Sequence, residues 1–147
     1  MDTLIVKKSI KINAPAKKVW NTLTDPELIK EWLFGTKAVS DWKIGSSLIF
    51  TGNWQGIEYR DKGTILEIEA EKKLKYDYWS SFSGLREAPE NFSIVEFNLV
   101  KKENQTLLTL TQSNFATPEM CEDSEKNWDV TLDSLKKVVE NTNKNVK

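Results

Sequence analysis

The helical signals of this chain lie in residues 14–32 and 117–139, and the long stretch between them, residues 37–113, reads almost throughout as strands. Strands joined by short turns imply an antiparallel meander. The first helical segment reads APAKKVWNTLTDPELIKEW. Ala14 is pushed toward extended geometry by the proline that follows, and Pro15 suits the first helical position. Ala16, Val19, Trp20 and Leu23 then share one stripe. Asp25 stands where a capping side chain belongs and Pro26 opens a second turn of helix, with Leu28, Ile29 and Trp32 on its apolar side. The last helix starts between Thr117-Pro118 and Asp123-Ser124. Trp128, Leu132, Leu135 and Val139 recur at helical spacing along it. Residues 141–147 are expected to fray.

Period-two alternation marks the strands. In residues 4–12 Val6, Ile10 and Ile12 alternate with Lys7, Ser9 and Lys11, and Lys8 interrupts the pattern. Residues 47–54 place Leu48, Phe50 and Trp54 on one side, and a turn at residues 53–56 leads to a strand through residues 63–69. Leu74, Tyr76 and Tyr78 oppose Lys75, Asp77 and Trp79. Val95, Phe97 and Leu99 oppose Ile94, Glu96 and Asn98, and Leu108, Leu110 and Gln112 oppose Leu107, Thr109 and Thr111. Residues 80–90 form the one long irregular stretch, and loops of that length are disproportionately functional.

The length of 147 residues fits a single domain, residues 1–147, large enough to bury roughly two-thirds of the unfolded chain's surface. Lys and Arg number 21 against 22 Asp and Glu, for a net charge of −1 with the signs interspersed, so a nucleic-acid surface is not expected. The first residues lack the apolar run of a signal peptide, and no later run approaches the roughly 18 residues of a membrane span; a soluble, cytoplasmic protein is expected. The single cysteine, Cys121, fits a reducing compartment. There is no histidine, which removes the commonest general base and zinc ligand and, with one cysteine, excludes a Cys/His metal site and a histidine-dependent triad. No phosphate-binding or dinucleotide-binding glycine motif occurs, and no cofactor or metal is expected.

The aromatic residues carry the functional reading. Trp32, Phe50, Trp54, Tyr76, Tyr78, Phe97 and Trp128 sit on faces assigned inward, where they either fill a core or wall a cavity for an apolar ligand. The candidate ligand-binding set is these seven with Leu110, Leu132 and Gln112, whose amide would orient the ligand together with the tyrosine hydroxyls. No catalytic constellation is evident. If there is catalysis without histidine, Glu67 and Tyr78 are its candidates, although Glu67 reads more readily as a solvated or lysine-paired carboxylate. The acidic residues Glu122, Asp123, Glu125 and Asp129 suit the early turns of a helix and lack the ligand ladder of a cation loop.

These pieces also resemble a known family: Ala14-Pro15 followed by Val19-Trp20; Leu23-Thr24-Asp25-Pro26-Glu27 and Trp32; Trp42 to Gly45 before a strand; Gly63 to Glu69 followed by Leu74 to Tyr78; and the run from Thr106 to Thr111 before the last helix. The chain resembles the START-like, birch-pollen-allergen-like superfamily, and within it the branch named after the C-terminal domain of the activator of the heat-shock-protein-90 ATPase. Many members carry a Gly-Trp pair where this chain has Asn127-Trp128, and many a histidine where it has Gln112. The resemblance implies an α+β helix-grip fold: a curved six- or seven-stranded antiparallel sheet, two short helices, and a long C-terminal helix across the concave face. It implies a lipid-, quinone-, flavonoid- or polyketide-like ligand between sheet and helix. A co-chaperone-like module with a chaperone as partner, and a histidine-free cyclase or dehydratase, are the alternatives it offers.

Overall fold

The computed structural model describes residues 4–145 except Phe82, and not the side chains of Trp54 and of residues 142–145. Its elements run β1 (Ile5–Ile12), α1 (Ala16–Thr24), α2 (Pro26–Trp32), β2 (Lys37–Ser40), β3 (Ser47–Trp54), β4 (Ile57–Glu69), β5 (Lys73–Tyr78), a short 3-10 turn (Pro89–Asn91), β6 (Ser93–Lys102), β7 (Gln105–Ser113) and α3 (Pro118–Asn145). The seven strands form one antiparallel sheet in the order β1-β7-β6-β5-β4-β3-β2, so the only neighbours not consecutive in the chain are β1 and β7. This is the α+β helix-grip arrangement, with the helices gathered on the concave face.

Local chemistry sets the two short helices. Pro15 is the N-cap of α1, in extended geometry (φ −68°, ψ 156°), one position before the helix that the sequence placed it in. Proline there still costs nothing, because its missing N–H would have had no helical partner. The Ala14 carbonyl just upstream is taken by the buried Thr106 hydroxyl at 2.8 Å, which fixes the path from β1 into α1. Asp25 closes α1 and caps α2, accepting from the Glu27 N–H at 2.9 Å. The Trp32 indole N–H donates to the Thr22 carbonyl at 2.8 Å and pins α2 against α1.

Lys8, the residue that interrupts the alternation of β1, lies on the inward parity between Val6 and Ile10 but sends its ammonium group to α3. It pairs with Asp129 at 3.0 Å and Glu125 at 3.4 Å. Part of the acidic stretch of the last helix is therefore a docking device for β1. The bond to Asp129, ahead of that to Glu125, raises the Lys8 pKa.

β4 bends most. Its first part pairs with β3 through Thr64, and its last part pairs with β5 from Ile65 onward, with a register shift between Ile65 and Glu67. At the handover Gly63 approaches β5 so closely that a Cβ there would lie 1.7 Å from the Asp77 carbonyl oxygen. The Asp77 carboxylate accepts from the Thr64 N–H at 2.7 Å beside it, and desolvation raises the Asp77 pKa. A crowded glycine and a shifted register are how a long strand curls around a helix.

The fully packed core lies toward the C-terminal half of α3, where Leu132, Leu135 and Val139 are buried with Val6, Ile12, Val19, Leu108 and Leu110. Asn141, where fraying was expected to begin, is still helical, and α3 is recorded through Asn145; the last two residues of that tail are outside the described residues.

Candidate functional site

Away from that packed end, the N-terminal half of α3 stands off the sheet and a cavity of about 870 Å³ remains between them. This is within the range of roughly 300–1,000 Å³ usual for small-molecule sites. Alternate residues of β3, β5 and β6 supply one wall: Leu48 and Phe50, then Leu74, Tyr76 and Tyr78, then Val95 and Phe97. Leu23, Ile29 and Trp32 of α1 and α2 form another, and Trp128 and Thr131 hang from α3. Exposed Phe34, Asn53, Asn114, Asp123 and Asn127 also line the space, so it opens between the end of α2, the β3–β4 turn and the first turns of α3. Phe34 is 63% exposed. Phe34 and Trp42, both on this wall, hold left-handed backbone (φ 55° and 57°), a conformation that bulky side chains rarely adopt.

The aromatics touch one another at their edges without closing the space. Phe50 meets Tyr76 at 6.2 Å between ring centroids and Tyr78 edge-on at 6.0 Å, and Phe97 meets Trp128 edge-on at 5.8 Å. The structure thus brings together Trp32, Phe50, Tyr76, Tyr78, Phe97, Gln112 and Trp128 of the expected set around one cavity. Leu110 and Leu132 do not line it: both face inward as their periodicity required, but at the packed end of the sheet. The Trp54 side chain is outside the described residues.

Gln112 corrects the expectation made for it. Its amide does not reach into open space. Oε1 accepts from the Ser124 hydroxyl at 2.6 Å and the Trp128 indole N–H at 2.7 Å, and Nε2 donates to the Ser93 hydroxyl at 2.9 Å. It is a structural tie between β7, β6 and α3.

Glu67 is likewise displaced from the role offered to it. The register shift beside it turns its side chain to the outer face of the sheet, where it bonds Lys73 at 3.1 Å and Lys75 at 3.3 Å. Those bonds, Lys73 first, hold its carboxyl below the usual range. An ionised, solvated carboxylate on the far side of the sheet cannot act on a molecule in the cavity.

A different carboxylate does line the cavity. Asp61, on the inward parity of β4 with Gly63 and Ile65, is 7% exposed. It accepts from the Tyr78 hydroxyl at 2.6 Å and from the Ser81 N–H at 3.0 Å. Burial first, and then the charge of Asp61, raise the Tyr78 pKa well above its ordinary value, so Tyr78 is a protonated donor at neutral pH. The sequence held a signal for Asp61, since counting back in twos from Ile65 reaches it. The loop of residues 80–90 helps to shape this end: Ser83 and Leu85 line the cavity, the Trp79 indole donates to the Leu85 carbonyl at 3.1 Å, and Lys62 pairs with Glu87. Among the described residues no cluster of metal-ligating side chains occurs, and no helix is long and apolar enough to cross a membrane.

The family model for "Activator of Hsp90 ATPase homolog 1-like protein" matches residues 13–140. The chain belongs to this family. The match takes in both short helices, β2 to β7 and nearly all of α3, and so every wall of the cavity. The solution structure of ChR145 from Cytophaga hutchinsonii is 42% identical, with 97% of this chain and 98% of that one aligned at a TM-score of 0.82. The Aha1 dimer from Colwellia psychrerythraea is 23% identical over 92% of this chain and 96% of that one (TM-score 0.72). DynU16, a putative protein of the dynemicin biosynthetic locus, is 17% identical over 95% of this chain and 48% of its own length (TM-score 0.79). These last two likenesses show the family's fold alone. No curated protein matches the chain.

Proposed function

We propose that this protein binds a small, largely apolar ligand, lipid-, quinone-, flavonoid- or polyketide-like, in the cavity between the sheet and the first half of α3. The supporting observation is the cavity itself: about 870 Å³, walled by aromatic and aliphatic side chains and open to solvent on one side. Water in such a space gains few hydrogen bonds, and an apolar body that displaces it gains roughly 25 cal/mol per Å² of area removed from water. Set against the ligand's lost freedom, that leaves room for micromolar affinity. The proposed ligand-contacting residues are Trp32, Phe50, Tyr76, Tyr78, Phe97 and Trp128. A library of flavonoids, quinones, fatty acids and sterols, screened by thermal shift and tryptophan fluorescence, tests the reading. A ligand that binds only the native state raises Tm by linkage. A library in which no member moves either signal refutes it.

One observation favours a second reading, that of a histidine-free cyclase or dehydratase. The Tyr78 hydroxyl and the Asp61 carboxylate meet at 2.6 Å on the cavity wall, a donor and an acceptor of protons within reach of anything bound there. In this reading Tyr78 keeps its candidate role and Asp61 replaces Glu67. Loss of more than about a hundredfold of turnover in Tyr78→Phe, with the fold retained, is the size expected of general acid–base catalysis. A chaperone partner rests on the family's description only. Co-purification with the host's Hsp90 and an ATPase assay test it.

A further inference from the structure

The polar groups on the cavity wall differ in how much hydrogen-bonding capacity they have left. At Gln112 it is nearly spent. The amide oxygen has two lone pairs, and Ser124 and Trp128 take both. The Ser93 hydroxyl accepts from one N–H of the amide nitrogen and donates to the Tyr78 carbonyl at 3.3 Å. A ligand reaching this wall finds at most the second N–H of that amide.

Asp61 differs. It lies on β4, three strands away across the sheet. Oδ1 accepts from the Ser81 N–H at 3.0 Å and from the Ser81 hydroxyl at 3.4 Å, and Oδ2 accepts from the Tyr78 hydroxyl at 2.6 Å. An ionised carboxylate accepts at about four positions, so one position on Oδ2 is still open. Among the described residues Asp61 has no lysine or arginine within ion-pair distance, and Lys62, its chain neighbour, pairs with Glu87. A buried carboxylate with open acceptor capacity and no counter-ion, on the wall of an apolar cavity, is half of a recognition pair.

We propose, building on the reading that this cavity holds an apolar ligand, that the ligand ends in a hydrogen-bond donor, a hydroxyl or an ammonium group, which it places on Asp61 Oδ2. The same site rejects ligands that end in a carboxylate. A second carboxylate beside Asp61 brings like charges together where water is scarce, and the repulsion there exceeds that in bulk water several-fold. Free fatty acids are thereby excluded and apolar alcohols, phenols or amines admitted. A ligand that merely lacks the donor loses less, since it leaves Asp61 with the partners it already has.

Four probes with one apolar body test this by calorimetric titration of the full chain: 2-naphthylmethanol, 2-naphthylmethylamine, 2-naphthoate and 2-methylnaphthalene. The alcohol and the amine are expected to bind at least about tenfold more tightly than the carboxylate, with the methyl compound between them. Asp61→Asn, which keeps the shape and removes the charge, should bring the carboxylate to within about threefold of the alcohol. Ser81→Ala keeps the charge and the backbone N–H bond to Oδ1, so it should retain the preference; if Asp61→Asn does not fold, the order of the four probes on the unsubstituted protein still decides. Equal affinity for 2-naphthoate and the alcohol in the unsubstituted protein overturns the proposal, as does a preference that persists in Asp61→Asn or vanishes in Ser81→Ala. In each of these cases the cavity reading survives. Failure of all four probes to bind overturns both.

Discussion

Trp128 on α3 and Gln112 on β7 are joined by an indole N–H to amide oxygen bond of 2.7 Å beside the cavity. The same oxygen takes the Ser124 hydroxyl one helical turn earlier. With the pairing of Lys8 to Glu125 and Asp129, these are the polar ties that hold the first half of α3 over a space it does not fill. The second half is packed directly through Leu132, Leu135 and Val139, and is tied as well by Lys136, which donates to the Lys11 carbonyl at 2.7 Å, and by Glu140, which accepts from the Asn13 N–H at 2.8 Å.

Gln112→Leu should therefore destabilise the protein, although leucine is more apolar and similar in volume. It strands the Trp128 N–H and the Ser124 hydroxyl, while the Ser93 hydroxyl keeps the Tyr78 carbonyl, and the expected loss is about 1–3 kcal/mol. Urea denaturation measures it. A variant as stable as the parent would mean that water replaces the amide at no cost.

Filling the cavity should be cheap where filling the core is not. Val95 lines the cavity and Leu110 does not, yet both are buried. Val95→Phe can grow into open space and should cost less than about 1 kcal/mol, whereas Leu110→Phe overpacks and should cost about 1–3 kcal/mol. Paired denaturation curves decide. Equal penalties would indicate that the cavity is collapsed in solution.

Gly63→Ala should be among the most damaging single substitutions. The added methyl would overlap the Asp77 carbonyl, a main-chain group held in the sheet, at the point where β4 passes from β3 to β5. A loss of about 3–5 kcal/mol, or failure to fold, is expected. Circular dichroism during thermal melting reads it.

The tyrosines fix the response to alkali. Burial raises the pKa of Tyr76, and burial with the Asp61 charge raises that of Tyr78, both from an ordinary 10.0. A raised folded-state pKa gives stability that is complete below the unfolded value and is lost as pH climbs from about 10 toward the folded value. Stability measured in urea should be level approaching pH 10 and fall above it, less steeply in Tyr76→Phe. An equal slope in that variant would show that Tyr76 ionises freely in the folded state.

Much of the architecture was legible because it rests on local rules. Asp25 and Pro26 mark a helix junction by capping chemistry alone, and the alternation in Leu74, Tyr76 and Tyr78 shows which face is inward. The site was less legible, for reasons that residue spacing does not carry. Parity puts Leu110 on the concave face but does not say which end of a curved sheet the helix seals. Glu67 changes faces at a register shift that depends on how β4 meets β5. Gln112 reads as a polar group free for a ligand until Trp128 and Ser124, from the helix that follows β7, are seen on the same oxygen. Asp61 was accessible by counting along β4, but the strand's first half has few apolar residues to reveal its phase.

The central claim is that the space between α3 and the sheet receives an apolar molecule, and a two-dimensional NMR titration with 2-naphthylmethanol tests it most directly. The indole N–H signals of Trp32 and Trp128 and the amides of Tyr78, Val95 and Phe97 should shift together and saturate with one site, while Lys73, Lys75 and Glu96 on the outer face stay in place. Shifts scattered over both faces without saturation, or none at concentrations where the probe remains soluble, would contradict the account.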